Sequence, residues 1–526
     1  MQDTTQITSV VIVGGGSAGW LTAALLAAKH SADIHITLIE SPEVPLLGVG
    51  EGTWPTMRGT LQKIGIDEVT FLNACHASFK QGTHFHQWRT GNSNDKYYHP
   101  FSLPFNYFDT DCAAWWQREA SQSSFAHAVT TQSTVCDHFL APKQVETPPF
   151  AGVLNYGYHL DASQFAHLLK THAVSKLGVS HIVDHVERII AAPGNAIQGL
   201  TLKSGKQIKG DLFVDCSGFS ARLIGEHFGE PLLSCKAQLP NDSAVALQCA
   251  YTQSDTEIPS VTHSTAQANG WIWDIALTNR RGVGHVFSSE YSSEDDAINA
   301  LQQYILADSA LAPKSRDDIA QQARLFRFLP GYRQRPWIQN CIAIGTASGF
   351  LEPLEASALV MTELAASHLA ERLPRYHYQL PAAARQFNRE FSTKWARIVD
   401  FLKLHYVLSE RRDSDYWRKV TRMSDCSEQL CDWLTLWKTR SPSAADFSFR
   451  EEIFPAASYL YVLYGMGFPT DFQLSASALQ HRQPQAFKQQ EQHKLLQQHL
   501  AGLPGNRTLL SQLTKIAVTS GKHHEQ

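Results

Sequence analysis

The chain has 526 residues, 43% of them hydrophobic and 18% charged, with a net charge of −4. That length suits about two or three domains with ample core, and the near-neutral balance gives nucleic acid no electrostatic footing. No apolar run reaches membrane-spanning length, no basic segment precedes an apolar one at the N-terminus, and the nine cysteines are scattered without a C-x-x-C pair, so a reducing, cytoplasmic setting is expected, with no membrane partner and no metal site.

Val10-Val11-Ile12-Val13 reads as a buried strand running into Gly14-Gly15-Gly16-Ser17-Ala18-Gly19 and then an alanine- and leucine-rich helix. Gly14, Gly16 and Gly19 fill the G-x-G-x-x-G pattern of a dinucleotide-binding turn: the first for the turn, the second for close approach of a pyrophosphate, the third for helix–strand packing. Residues 34–39 read as a second strand ending at Glu40, about 20 residues past the last glycine, where a carboxylate accepts from a ribose hydroxyl. FAD and NAD fit equally at this point.

The loop Gly48-Val49-Gly50-Glu51-Gly52-Thr53-Trp54-Pro55 is dense in turn residues, and Met57 to Ala77 reads mostly as helix. Ser78 to Trp88 predicts one strand with Lys80, Gly82, His84 and His86 on one face and Phe79 and Phe85 on the other. Aromatics follow at Tyr97-Tyr98-His99-Pro100-Phe101. Tyr158 to Ala162 leads into a helix to about Leu177, and strands at 186–190 and 200–202 flank Pro193-Gly194-Asn195 as in a hairpin. Leu212 to Cys216 is a buried-type strand ending in Ser217-Gly218-Phe219-Ser220. Trp271 and Trp273 share a strand face. Residues 340–345 form another strand and turn, and a helix runs from about Glu355 to Arg372. From residue 381 helical patterns dominate, ending in a fraying tail at 521–526. This order predicts an α/β, Rossmann-like flavoprotein fold of the aromatic-hydroxylase type over 1–380, carrying inserted substrate elements, and a mainly helical C-terminal domain over 381–526.

Taken together, Gly14 to Gly19, Gly48 to Pro55, Lys80, His99-Pro100-Phe101, Asp215 to Phe219, Trp271-Ile272-Trp273-Asp274-Ile275 and Gly349-Phe350-Leu351-Glu352-Pro353-Leu354-Glu355 resemble the flavin-dependent tryptophan halogenases. The resemblance implies FAD, reduced by a separate reductase, which with O2 and chloride or bromide generates hypohalous acid for an indole-like arene; a homodimer is compatible with it. Lys80 then matches the lysine that receives the oxidant, and Glu355 the carboxylate that stabilises the arene cation or takes its proton. Ser17, Ala18, Gly50, Glu51, Val186, Thr346 and Leu359 join the flavin contacts. Ser357 and Ala358 match the halide site, His99 and Phe101 the substrate's aromatic platform, and Trp271 and Trp273 the wall between flavin and substrate. Ala356-Ser357-Ala358 replaces the family's common Ser-Thr-Gly, and Ala276 stands where proline is usual. Glu451 to Pro455 and Tyr459 lie in the region of the family's amino-acid clamp without matching it residue by residue. Two rival readings are an FAD-dependent aromatic hydroxylase, against which Thr346 counts, and a flavin-binding protein without turnover.

Overall fold

The computed structural model describes residues 5–43, 48–191, 195–447, 452–472 and 482–521. Pro193, Gly194, Glu451 and the tail from 522 lie outside them. The chain forms two compact units, each assembled from three stretches. The first comprises Met1–Ala77, Leu160–Lys236 and Phe328–Ala396; the second comprises Ser78–His159, Ala237–Arg327 and Arg397–Gln526.

The first unit is built on a six-stranded sheet in the order Trp337–Ile338, Cys341–Ala343, Leu212–Asp215, Ser9–Val13, His35–Glu40, Ser180–Val183. Every pairing is parallel except that of the first two. The central strands are apolar on both faces, as a parallel sheet under helices requires. The helix Ser17–His30 is buried all round from Gly19 to Ala27 and packs against the helices Ala162–Ser175 and Ser357–Glu371. Asp161 caps the first of these, accepting from Ser163 N at 2.9 Å. The predicted hairpin is present: Val186–Ile190, Gly199–Leu202 and Gln207–Lys209 form an antiparallel sheet.

The second unit is built on a seven-stranded sheet in the order Arg324–Arg327, Ser243–Cys249, Arg281–Phe287, Trp271–Ala276, Thr262–Ala266, Gly82–His86, Lys96–Pro100. Only Thr262–Ala266 and Gly82–His86 pair in parallel. The helix Glu294–Ala307 starts from a Ser293–Asp296 capping box and lays Ala297, Ile298, Leu301 and Ile305 on Val245, Leu247, Ile272 and Val283. The single strand expected over 78–88 is divided: Ser78–Lys80 pairs with residues 157–159, and Gly82–His86 belongs to the large sheet. Gln81 sits at the break. Its buried amide donates to Leu140 O at 2.9 Å and Ser260 Oγ at 3.1 Å, so one continuous stretch serves two sheets.

Asp215, at the end of its strand, anchors the turn that follows. Its carboxylate is fully buried and accepts from Ser217 N (3.0 Å), Ser217 Oγ (2.6 Å), Leu223 N (2.7 Å) and Ile224 N (2.8 Å). Removing it strands buried donors, each costing about 1–3 kcal/mol. Asp215→Ala is therefore expected to lower stability by about 3 kcal/mol or more, read as a lower denaturant midpoint; a midpoint equal to the parent's would contradict this account of the turn.

Candidate active site

In the first unit, glycine turns gather at the carboxyl edge of the parallel sheet, where open α/β sheets bind ligands. Gly14 has φ +121°, and a Cβ there would lie 2.1 Å from the Cys216 carbonyl oxygen. A Cβ on Gly19 would meet the Gly14 carbonyl oxygen at 1.9 Å, whereas one on Gly16 would meet nothing within 4 Å. Gly14 and Gly19 thus serve backbone contact, and Gly16 borders open space at the start of the helix Ser17–His30, which no side chain caps. Free N–H groups facing open space fit a pyrophosphate. Ser17 Oγ donates to Ala162 O at 3.4 Å. The late turn Gly345–Ala347 abuts the same helix start: a Cβ on Gly345 would lie 2.6 Å from Ala18 Cβ. Thr346 belongs to that turn.

Glu40 ends its strand as expected, and its carboxylate already accepts from Trp20 Nε1 (3.2 Å), His181 Nε2 (2.9 Å) and Lys170 Nζ. A carboxylate offers about four acceptor positions, so capacity for one further hydroxyl remains. Val186 lies near this strand end: Asp184 N donates to Glu40 O at 3.0 Å, and Arg222 Nη2 donates to Val186 O at 3.2 Å.

The glycine-rich loop is tied to the last predicted segment, with Trp54 Nε1 donating to the Glu355 carbonyl at 2.9 Å. Gly50 and Glu51 form part of its short strand Gly50–Gly52, and burial pushes the Glu51 carboxyl up to about 7. Glu355 is buried. Immediately after it, Ala356 adopts φ +54° and the helix Ser357–Glu371 begins without a side-chain cap. Ser357 and Ala358 therefore stand at an open helix N-terminus, a favourable place for an anion, with Leu359 buried behind them. Sequence reasoning missed Glu363, farther along this helix. It accepts from Thr60 Oγ1 at 2.7 Å and Thr56 Oγ1 at 3.1 Å and so ties the helix Met57–Ile64 to Ser357–Glu371.

In the second unit, Lys80 is only 1% exposed. Its strand is tied to that of the tryptophans by Ser78 Oγ, which donates to Ala276 O at 2.6 Å. Lys80 Nζ stands 5.5 Å from the centroid of the Phe101 ring, a cation–π contact. Burial, reinforced by Lys80, holds the His159 imidazole well below its usual range and therefore neutral. The Phe101 loop is fixed from four sides. Phe101 N donates to Gln81 O at 2.9 Å, Asn155 Nδ2 to Phe101 O at 3.0 Å, Ser102 N to Gln132 Oε1 at 2.7 Å and Tyr461 OH to Ser102 O at 2.9 Å.

The His99 ring is 5.6 Å from Phe401 and 6.3 Å from Tyr461. Phe401 in turn stacks on Phe454 at 3.8 Å and meets Tyr459 edge-on at 5.0 Å. Glu452, from the segment flagged in the sequence, forms a buried ion pair with Arg397 at 3.2 Å. Trp271 and Trp273 are both buried, with ring centroids 6.4 Å apart in a T-shaped arrangement. Trp273 fits because Gly284 stands opposite; a Cβ there would lie 2.1 Å from the indole. The structure thus brings Lys80 to Phe101 and Trp271 to Trp273 in the second unit. In the first it brings the glycine turn to the Thr346 turn, and Trp54 to Glu355.

A family model described as tryptophan halogenase matches residues 9–481. Tryptophan 7-halogenase RebH of Lentzea aerocolonigenes is 31% identical over 493 residues, covering 89% of this chain and 91% of its own. Among solved structures, a tryptophan halogenase from Shewanella frigidimarina NCIMB 400 superposes with a TM-score of 0.91 at 44% identity, covering 97% of this chain and 98% of that one. Tar14, a tryptophan C-6 flavin-dependent halogenase from taromycin biosynthesis, gives 0.87 at 28% identity over 96% and 99%.

Burial pushes the Glu363 carboxyl from the ordinary 4.5 up to about 7. The native state therefore holds this proton more tightly than the unfolded chain, and stability falls as pH rises through that window. Glu363→Gln, which cannot ionise, is expected to flatten that slope and to stabilise the protein above pH 7 by about 2–3 kcal/mol, with little effect below pH 4.5. Denaturant midpoints measured across this range test it; an unchanged pH slope would refute the assignment.

Proposed function

The chain belongs to the tryptophan halogenase family and is a flavin-dependent halogenase, and we propose the following division of work among its residues. FAD, reduced by a separate flavin reductase, supplies the electrons with which O2 converts chloride or bromide to hypohalous acid. The open helix start at Gly16, Ser17 and Ala18 holds the pyrophosphate, with Gly14 and Gly19 keeping the turn tight enough to present it. Glu40 takes the adenosine ribose on its remaining lone pair, and Gly50, Glu51, Val186, Thr346 and Leu359 complete the cofactor contacts. Ser357 and Ala358 bind the halide through backbone N–H groups at a helix N-terminus, where no dedicated cation is needed.

Lys80 is the observation that carries the reading. An ammonium taken out of water is costly, and a fold that needs only to hold flavin has no use for one under Phe101. There it hydrogen-bonds hypohalous acid and directs the electrophilic halogen onto an arene. Glu355 stabilises the resulting ring cation and accepts its proton. Phe101 and His99 present flat aromatic surface to an indole-like substrate, and Phe401, Phe454, Tyr459 and Tyr461, all from the segment after residue 381, back that surface. Trp271 and Trp273 separate the arene from the flavin. Cytoplasmic action fits nine free thiols, and among the described residues no helix is long and apolar enough to cross a membrane.

Supplied with FAD, a flavin reductase, NADH, O2 and bromide or chloride, the protein is expected to halogenate members of an indole panel, followed by mass spectrometry. Lys80→Ala should lose this activity by about 10³-fold or more, and Glu355→Gln by about 10²–10⁴-fold, both with FAD affinity retained. Halogenated product from Lys80→Ala at the parental rate would remove Lys80 from the mechanism. Hydroxylated product from the protein and NADH alone would replace the halogenase reading with a hydroxylase.

A further inference from the structure

The strand Gly82–His86 carries two histidines on one face, and its parallel neighbour Thr262–Ala266 carries a third. Residues two apart on a strand share a face, and the register sets His263 beside His84. The ring centroids of His84 and His86 are 4.0 Å apart, those of His86 and His263 5.2 Å, and those of His84 and His263 5.7 Å. One ligand nitrogen from each lies within 4.8 Å of the other two, the one such group found among the described residues. We propose that His84, His86 and His263 form a binding site for a divalent transition metal of the zinc class, with water as the fourth ligand.

The distances admit it. Three points no more than 4.8 Å apart share a centre within about 2.8 Å of each, and a zinc–imidazole bond is about 2.0–2.1 Å, so ring adjustments of less than about 1 Å close the shell. Three imidazoles without a coordinating carboxylate or thiolate suit zinc, copper, nickel or cobalt and exclude calcium and magnesium. Each ring ligates as the neutral imidazole. His84 is stacked on Tyr98 at 3.8 Å, which fixes its ring, and its Nε2 is buried with no hydrogen-bond partner. Ligation relieves that cost.

His86 Nε2 and His263 Nδ1 share a hydrogen bond of 3.0 Å; the ion takes the place of its proton, which moves to the other nitrogen of the ring that carried it, so both imidazoles stay neutral. Lys96, His127 and Arg281 bring positive charge toward the cluster. Asp274, bound to Arg281 through both carboxylate oxygens, and Asp308, also bound to Arg281, offset it. His86 and His263 are partly exposed, which provides access for the ion. The bound metal cross-links the strand that begins two residues after Lys80 to its neighbour. The expectation of no metal site rested on cysteine spacing; these ligands are gathered by strand register instead.

The test uses full-length, tag-free protein stripped with a chelator. It is titrated with Zn2+ by calorimetry and with Co2+ by visible absorption. The expected result is about one equivalent per chain and the intense visible bands of tetrahedral Co2+. His86→Ala and His263→Asn should each weaken Zn2+ by about 100-fold, with FAD binding and thermal unfolding retained as fold checks. The Co2+ spectrum of the unsubstituted protein reports coordination independently of any variant. No tetrahedral Co2+ signal, or parental Zn2+ affinity in both folded variants, would overturn the proposal and leave a hydrogen-bonded histidine cluster.

Discussion

The first unit depends on backbone contacts that no side chain can enter. Gly14 lies against the Cys216 carbonyl and Gly19 against the Gly14 carbonyl, each so closely that a single Cβ would overlap the oxygen. These contacts bring the ends of Ser9–Val13 and Leu212–Asp215 together and aim the helix Ser17–His30 at the edge of the sheet. The other turns are secured by buried polar groups. Asp215 gathers the donors of its own turn. Arg333 holds the late turn, its Nε donating to Ala347 O and its backbone N to Ser348 O, both at 2.8 Å. Loops at the carboxyl edge of a parallel sheet have only short ladders of their own, so such groups help to keep them in place.

The second unit solves a different problem, keeping a charge and an aromatic surface out of water. Phe101 presents its ring face to the buried Lys80, and His159 remains neutral. The Phe101 loop is held almost entirely by hydrogen bonds to its backbone, leaving the ring free of that duty. The tryptophan pair is accommodated by the absence of a side chain at Gly284. Chemistry and packing are therefore shared out: polar residues place the backbone, and aromatic residues make the surface.

Much of this was legible in the chain. The glycine turn could be read because its three glycines fall within six residues between an apolar run and a helix-forming run, although the Cys216 carbonyl that Gly14 must clear comes from far along the chain. The strands around 10–13, 212–216 and 270–277 and the helix from about 355 could be read from apolar runs and helix-entry signals, which are also local. The glycine loop, Lys80, the tryptophan pair and the segment ending at Glu355 carried the family resemblance. The division of 78–88 into two strands was not legible, because it turns on where the Gln81 side chain finds partners, at Leu140 and Ser260. Nor were Gln132, Asn155 and Glu363, whose hydrogen-bond partners lie 30, 54 and 303 residues away respectively.

By itself, then, the sequence determined a dinucleotide turn and the order of strands and helices, since each follows from local sterics or from periodicity along the chain, and its family resemblance, not its periodicity, pointed to the residues for halogen chemistry. Tertiary structure alone decided that Lys80 is buried beside Phe101, that Glu40 accepts from Trp20, His181 and Lys170, that Glu363 binds two helices together, and that His263 stands beside His84. Those outcomes depend on strand register and on burial, and both arise from pairings between residues far apart in the chain.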